Sequence, residues 1–274
     1  MREYWRGLIL RLVKWVLAYC NVKQLLSKFK ILRYLIELIF PRKCTVCGCE
    51  LLADEFFICL KCLAGMPLTY FWQYQDTCAD IAFWGRTQIE KVYSLFYYRN
   101  DYRKLLFSLK YRSGIKLGKL LGRMLGEKIL QYSQSGAGVT EFDYIIPVPL
   151  HFLKKWRRGY NQSEIVARGI IEGLLQVETV CRGGCRPILL TNVIKRVRFT
   201  KTQTHKDKIG RWESVRSVFV FPSINKRCLP DLNGKHILLV DDVLTTGATL
   251  DACATLLHKS FNCRITIATI AYVE

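Results

Sequence analysis

The clearest pattern along the chain is the unbroken apolar run Ile237-Leu238-Leu239-Val240, which ends against two adjacent carboxylates, Asp241 and Asp242. Four apolar residues without alternation predict a central strand over 236–241, buried on both faces. A small, hydroxyl- and glycine-rich turn follows, Thr245-Thr246-Gly247-Ala248-Thr249, and then Leu250, Cys253, Leu256 and Leu257 recur at helical spacing. Upstream, 92–98 predicts a strand, and 101–110 and 115–132 predict helices on either side of a turn, LKYRSG, at 109–114. Residues 133–140, SQSGAGVT, read as a Ser/Gly loop. The strand 144–146 runs into Pro147-Val148-Pro149-Leu150-His151, and proline cannot sit in a central ladder, so this strand ends abruptly. A helix over about 163–175, a short apolar run at 188–190 and strands at 217–222 and 263–272 complete the pattern. Strand–helix alternation predicts an α/β fold with a mostly parallel sheet flanked by helices.

Two stretches depart from that alternation. Residues 1–40 set short apolar clusters between single basic residues such as Arg6, Arg11 and Lys14, the pattern of one or two basic amphipathic helices. Such a helix packs on the domain behind it or lies on an anionic membrane surface, and residues 1–30 are the candidates for that peripheral contact. Residues 194–216, IKRVRFTKTQTHKDKIGRWESVR, carry no period at all, and so long an unstructured span in a compact domain is functional or mobile. The organisation predicted is a basic helical extension over 1–40, a small cysteine module over 41–72 and an α/β domain over 85–274.

Charge sharpens the picture. The chain has 274 residues and a formal net charge of +20. Residues 1–43 hold ten Lys/Arg against two acids, and residues 150–216 hold fifteen against five. Charge concentrated in two segments predicts a polyanion as partner. The aromatics Trp156, Tyr160, Phe199 and Trp212 are interleaved with the second segment and could stack on bases or pack in the core, with packing favoured for Tyr160. Single-stranded DNA is the expected polyanion, with Lys154, Lys155, Trp156, Arg157 and Lys201 as contacts.

The chain contains twelve cysteines but shows no secretory signal pattern and no apolar run of 18 residues, so a cytoplasmic location is expected. In that compartment cysteine is metal-binding or simply buried. Cys44-x2-Cys47 and Cys59-x2-Cys62 stand eleven residues apart, the spacing of two knuckles that close four thiolates around one structural Zn²⁺. Each pair alone could be a redox dithiol, but the βαβ context of that chemistry is missing. Cys49 is a candidate substitute ligand.

The paired acids followed by a turn of small residues suit a ligand carrying both hydroxyls and phosphate. Ligands of open α/β sheets bind beyond the carboxyl ends of the strands, and a helix N-terminus favours an anion. The stretch HILLVDDVLTTGAT resembles the phosphoribosyl-pyrophosphate (PRPP) motif of type I phosphoribosyltransferases. That resemblance implies that Asp241 and Asp242 hold ribose hydroxyls, with Mg²⁺ accompanying PRPP. It also implies that Thr245, Thr246, Gly247, Ala248 and Thr249 hold the 5′-phosphate.

Three further motifs, VPLHFLKKWRRGYNQSE, RVRFTKTQ followed by Arg211, and LKYRSG, stand behind the four-cysteine pair. Together they resemble the competence protein F (ComF-like) family over about residues 32–274. The resemblance implies a type I phosphoribosyltransferase-like fold with a small N-terminal four-cysteine zinc module. It makes Pro149, Leu150, His151 and Arg158 pyrophosphate-loop candidates, and Arg196, Arg198, Gln203 and Arg211 flexible-loop candidates. Phe152 stands where the family has proline, Lys206 where it has an aliphatic residue, and Ser214 where it has asparagine. A nucleic-acid-handling factor of DNA uptake and a scaffold for a DNA-uptake helicase or channel component are the functions this implies. An active transferase moving a phosphoribosyl group to a nitrogen base is the alternative, although no residue identifies the acceptor.

Overall fold

The computed structural model describes residues 41–111, 114–132, 142–175, 186–197, 218–222 and 230–274. The expected helices of 1–40 and the candidates Arg198, Lys201, Gln203 and Arg211 lie outside the described residues, as do Phe199 and Trp212. The chain divides into two compact units, residues 1–61 and 62–274.

In the first unit, the described residues from 41 on are a looped segment rather than helix or sheet. Arg42 stitches it: its Nη1 donates to the Glu55 carbonyl at 2.9 Å, and its Nη2 donates to the carbonyls of Leu52 and Ala53. The Glu55 carboxylate accepts from the backbone N–H groups of Leu52 and Leu60, which holds its pKa below the usual carboxylate range. Side chain-to-backbone bonds thus tie this loop together.

The second unit contains the α/β fold. In chain order its described elements begin with the short helices α1 (Leu60–Ala64, reaching back across the division) and α2 (Cys78–Ile81) and strand β1 (Lys91–Tyr97). Helices α3 (Arg103–Ser108) and α4 (Gly114–Tyr132), strand β2 (Tyr144–Pro147), and helices α5 (Phe152–Arg158) and α6 (Gln162–Leu174) follow. Strands β3 (Ile188–Leu189), β4 (Lys195–Arg196), β5 (Phe219–Val220) and β6 (His236–Leu244), helix α7 (Ala248–Ser260) and strand β7 (Arg264–Tyr272) complete the domain. The main sheet has the order β1-β7-β6-β2-β3 with every pairing parallel, and β4 and β5 form a separate antiparallel ribbon.

Strand β6 lies at the middle of the sheet, as its apolar run requires, and Ile237 to Val240 are fully buried. It also continues past the acids, three residues beyond the predicted end. The reason is its neighbour: β7 keeps pairing through Asp241↔Thr269 to Leu244↔Tyr272, whereas β2 stops at Pro147↔Val240. One side of β6 stays in the sheet while the other loses its partner, and a crevice opens there.

The segment after β2, read from sequence as a loop, contains the helix α5. His151 Nδ1 accepts from the Leu153 N–H at 3.3 Å to cap its start, and Gly159, at φ 81°, ends it in the left-handed conformation. Seven residues between a cap and a glycine stop are too few to show a helical period in sequence.

Helices α4 and α6 cross with their backbones in contact. A Cβ on Gly122 would overlap the Val166 carbonyl, and one on Gly126 the Ile170 carbonyl. From the other helix, Gly169 and Gly173 meet the carbonyls of Lys119 and Arg123 in the same way. Only glycine allows this separation. Gly122→Ala would gain roughly 1 kcal/mol of helix propensity, but it must push two helices apart, at roughly 1–3 kcal/mol. We therefore expect Gly122→Ala to lower the melting temperature, and the Gly122→Ala/Gly169→Ala pair to lower it further, both measured by thermal unfolding. An unchanged melting temperature would show that the crossing relaxes freely.

Candidate functional site

The crevice beside β6 is a cleft of about 370 Å³, lined from three stretches of the chain, 148–163, Arg196 and 241–250. Asp241, Asp242 and Val243 come from the end of β6, and the turn Thr245–Gly247 leads into the first residues of α7. Val148, Pro149 and Leu150 come from the segment after β2, Lys154 and Arg158 from α5, and Arg196 from β4. Asn161, Gln162 and Ser163, at the start of α6, form the remaining wall.

The turn is built to leave its donors available. Gly247 is the N-cap of α7 with φ 74°, and no side chain caps the helix, so the first-turn N–H groups have no intrahelical partner. The Phe83 ring lies so close that a Cβ on Gly247 would come within 3.0 Å of it. Arg86 Nη1 donates to the Thr246 carbonyl at 3.1 Å and fixes the turn from outside. Small residues, oriented amides and a helix dipole together make an anion site.

The acids face the opposite electrostatic problem. Burial pushes the Asp241 carboxyl up to about 7, and the neighbouring Asp242 adds to the shift. The Asp242 N–H and the Ser163 hydroxyl each donate to Asp241 Oδ1 at 2.9 Å and work against it, as does the Arg196 charge. Asp242 is raised by burial as well, opposed by Lys110 and Arg158. Both side chains remain open to the cleft, so a ligand hydroxyl or a cation can reach them. Arg196 is held across the cleft by the β4–β5 ribbon, its guanidinium 5.5 Å from the Phe219 ring centre. Burial lowers the Lys154 pKa, and the nearby charges of Arg196 and Arg158 lower it further. Two carboxylates and three cations in one cleft match a ligand with hydroxyls at one end and phosphate at the other.

Comparison with known proteins agrees with this geometry. A family profile described as "Phosphoribosyl transferase domain" matches residues 143–274, the span that builds most of the cleft. The chain is 26% identical over 212 residues to "Competence protein F" of Haemophilus influenzae, covering 77% of this chain and 83% of that protein. It is 30% identical over 171 residues to "DNA utilization protein YhgH" of Salmonella typhi, covering 62% of this chain and 67% of the relative. The chain belongs to the competence protein F family. The Escherichia coli K12 protein of the same YhgH name is 25% identical over 217 residues, covering 79% of this chain and 84% of its own length.

For this ComF-family chain, the remaining candidates fall in different places. His151 is buried and does not line the cleft; it caps α5, and burial together with Arg196 and Lys154 keeps its pKa below the ordinary value. Lys155 lines an adjoining pocket of about 350 Å³ beside Phe152. Trp156 and Arg157 project from α5 into solvent, and Trp156 is 85% exposed. Tyr160 is a core residue, its hydroxyl donating to the Leu109 carbonyl at 2.6 Å and also to that of Tyr111. Asn161, Gln162 and Ser163 stand within the stretch VPLHFLKKWRRGYNQSE, where the sequence alone assigns them no role. Polar residues opening an otherwise apolar helix were the signal that could have marked them.

The four cysteines converge as their spacing predicts. The sulfurs of Cys44, Cys47, Cys59 and Cys62 all lie within 4.8 Å of one another, a group able to hold a metal ion. Cys47 Sγ and Cys59 Sγ are 3.7 Å apart, close to the roughly 3.8 Å that tetrahedral Zn–S bonds of about 2.3 Å impose. Burial pushes the Cys44 thiol up, but the backbone N–H groups of Cys59, Cys47 and Val46 bring its pKa below the ordinary value. The result favours thiolate, the ligating form. Cys49 is exposed, its sulfur 3.2 Å from that of Cys47.

The raised pKa of Asp241 gives a test of sign. Its folded value, about 7, exceeds the 3.8 of a free carboxyl, so its contribution to stability is most favourable at acid pH and is lost as pH rises toward 7. Asp241→Asn, which cannot ionise, should therefore melt above the wild type at pH 8 without ligand. The difference should shrink as pH falls from about 7 toward about 4. A variant that melts below the wild type at pH 8 would mean that the carboxylate is not held at a cost.

Proposed function

We propose that this ComF-family protein is a nucleic-acid-handling factor of DNA uptake that binds phosphorylated ribose in its cleft. The observation that carries the nucleic-acid reading is α5, a seven-residue helix at the cleft rim. It presents Lys154, Lys155, Arg157 and Arg158, with Trp156 85% exposed among them. A ring so exposed serves no core, and a cationic ridge with an open indole suits a single strand, whose phosphates and bases it can engage together. Arg198 and Lys201 extend the same basic segment in sequence. The relatives' names, competence and DNA utilization, agree with this role.

PRPP or a related phosphorylated ribose is the small ligand expected in the cleft, and Asp241 and Asp242 would hold the Mg²⁺ that accompanies it and offsets its charge. The same pair of acids favours a second reading, Mg²⁺-dependent transfer of a phosphoribosyl group from PRPP to a nitrogen base. In either case the four-cysteine group holds a structural Zn²⁺, since four protein ligands leave no open position. A DNA-uptake helicase or channel component is the protein partner proposed for that module. Among the described residues no helix is long and apolar enough to cross a membrane, and residues 1–30 are proposed to make a peripheral contact at the cytoplasmic face.

Two measurements test these assignments. Purified protein should carry one zinc per chain, and Cys44→Ser or Cys62→Ser should unfold or aggregate the N-terminal module, because metal-binding energy there is folding energy. Substoichiometric zinc in well-folded protein would remove the metal from the proposal.

The second is titration with single-stranded DNA and with PRPP plus Mg²⁺, separately and in competition. Neutralising roughly four to six phosphates should give a log–log salt slope of about −3 to −4. Replacing Lys154, Lys155, Arg157 and Arg158 together by Ala should lower both affinity and slope. Trp156→Ala should cost about 1–3 kcal/mol with the slope unchanged. Binding that ignores salt and survives the fourfold change would transfer the function to a scaffold role.

A further inference from the structure

A second cavity, of about 350 Å³, adjoins the cleft, and Pro149 and Leu150 line both. Phe152 and Ile194 add to its apolar lining, while Lys155 and Glu164 bring charges of opposite sign. Its size falls in the range of small-ligand pockets, roughly 300–1,000 Å³, and apolar walls with a few polar groups are their usual make-up.

Phe152 is the unusual residue. It is the first residue of α5, it is 63% exposed, and it stands where the family has proline. Proline suits a first helical position, because the N–H it lacks has no intrahelical partner there. An aromatic ring in its place brings the helix no gain, and so exposed a ring buries little of its area. The ring is nonetheless held: the buried His151 imidazole packs against it with the ring centres 4.8 Å apart. A positioned, open π surface on the lining of a cavity is a platform for a flat partner.

We infer that this cavity is a nucleobase pocket for the single strand bound along α5. One base leaves the strand, stacks on Phe152 and lies against Pro149, Leu150 and Ile194, while its phosphate stays with Lys155 on the basic ridge. Glu164 sets which base enters. Its Oε1 accepts from Arg168 Nη2 at 2.9 Å, and a carboxylate has two oxygens with about four acceptor positions. A group that only accepts favours a base with an amino group on its edge, which cytosine, adenine and guanine carry and thymine lacks. The ligand class is therefore single-stranded DNA with an amino-bearing base at the pocket. This assignment rests on the proposed single-strand reading of α5, and Phe152 makes it a property of this chain rather than of relatives with proline.

The experiment titrates the full chain with oligo(dC) and oligo(dT) of equal length, at several salt concentrations and at mildly alkaline pH, where oligo(dC) stays unpaired. Wild type, Phe152→Pro and Glu164→Gln are compared, with melting temperatures measured alongside. The wild type should bind oligo(dC) roughly tenfold tighter than oligo(dT). Phe152→Pro places the family residue at a position that accepts it, so its melting temperature should match the wild type's. Its affinity for both strands should fall roughly tenfold with the salt slope unchanged, since a stacking contact is lost and no charge. Glu164→Gln, a donor as well as an acceptor, should bring the two strands to near-equal affinity. Equal wild-type affinity for the two strands overturns the inference and leaves the ridge reading standing. So does a preference for oligo(dC) that survives Glu164→Gln, or undiminished binding by Phe152→Pro. Should Phe152→Pro melt below the wild type, Glu164→Gln alone decides. A wild type that binds neither strand overturns the inference and the single-strand reading together.

Discussion

Two carboxylates side by side at the end of a buried strand are the constraint on which the rest of the domain depends. Each is pushed toward its neutral form by burial, and only directed donors make the ionised pair tolerable. The donors come from far along the chain. Ser163 reaches Asp241 across 78 residues of sequence, and Arg196 supplies charge from a ribbon outside the main sheet. A site with its carboxylates held at a cost in the absence of ligand is prepared for a cation or for hydroxyls, because either relieves the cost at the moment of binding.

The position of Ser163 depends in turn on helix packing. Glycines on both α4 and α6 bring the two backbones into contact, and Tyr160 and Asn161 pin the start of α6 to the end of α3 and to the segment after β2. Packing at this separation leaves little freedom for the helices to slide. The wall of the cleft that carries Asn161, Gln162 and Ser163 is therefore fixed by helix packing and by these hydrogen bonds. The opposite side is lighter: α5 is a single short helix between a histidine cap and a glycine stop, and most of its side chains face solvent. A rigid acid-bearing floor with a cationic rim is an arrangement in which a small ligand and a polyanion can share neighbouring surfaces.

The cysteine group obeys a different physics. The described loop around it takes its order from the Arg42 and Glu55 hydrogen bonds, from the burial of Val46 and Ile58 and from the convergence of four sulfurs. N–H groups directed at Cys44 favour its thiolate before any metal is considered. Small modules of this kind depend on a cross-link because their buried area cannot offset chain entropy.

Much of this protein was legible in the residues alone, and those parts share a property: each is written in consecutive positions. The run Ile237–Val240 had to be a central strand because four apolar residues need cover on both faces, and the acids and small-residue turn behind it had to stand at the sheet's carboxyl edge. Two CxxC pairs eleven residues apart specify their own convergence. What only the tertiary structure decided lies in long-range pairings that no local period records. The strand β6 outran its predicted end because β7 continued beside it, and the cleft exists because β2 did not. Trp156 and Tyr160, alike in sequence as aromatics among basic residues, were separated into an exposed ring and a core anchor by the turn at Gly159. Asn161 and Ser163 took their roles only once their hydrogen bonds to Val148 and Asp241 were placed. A single chain position states what a side chain can donate or accept; whether a partner is already there is settled by residues 13 to 160 positions away, and only the fold brings them together.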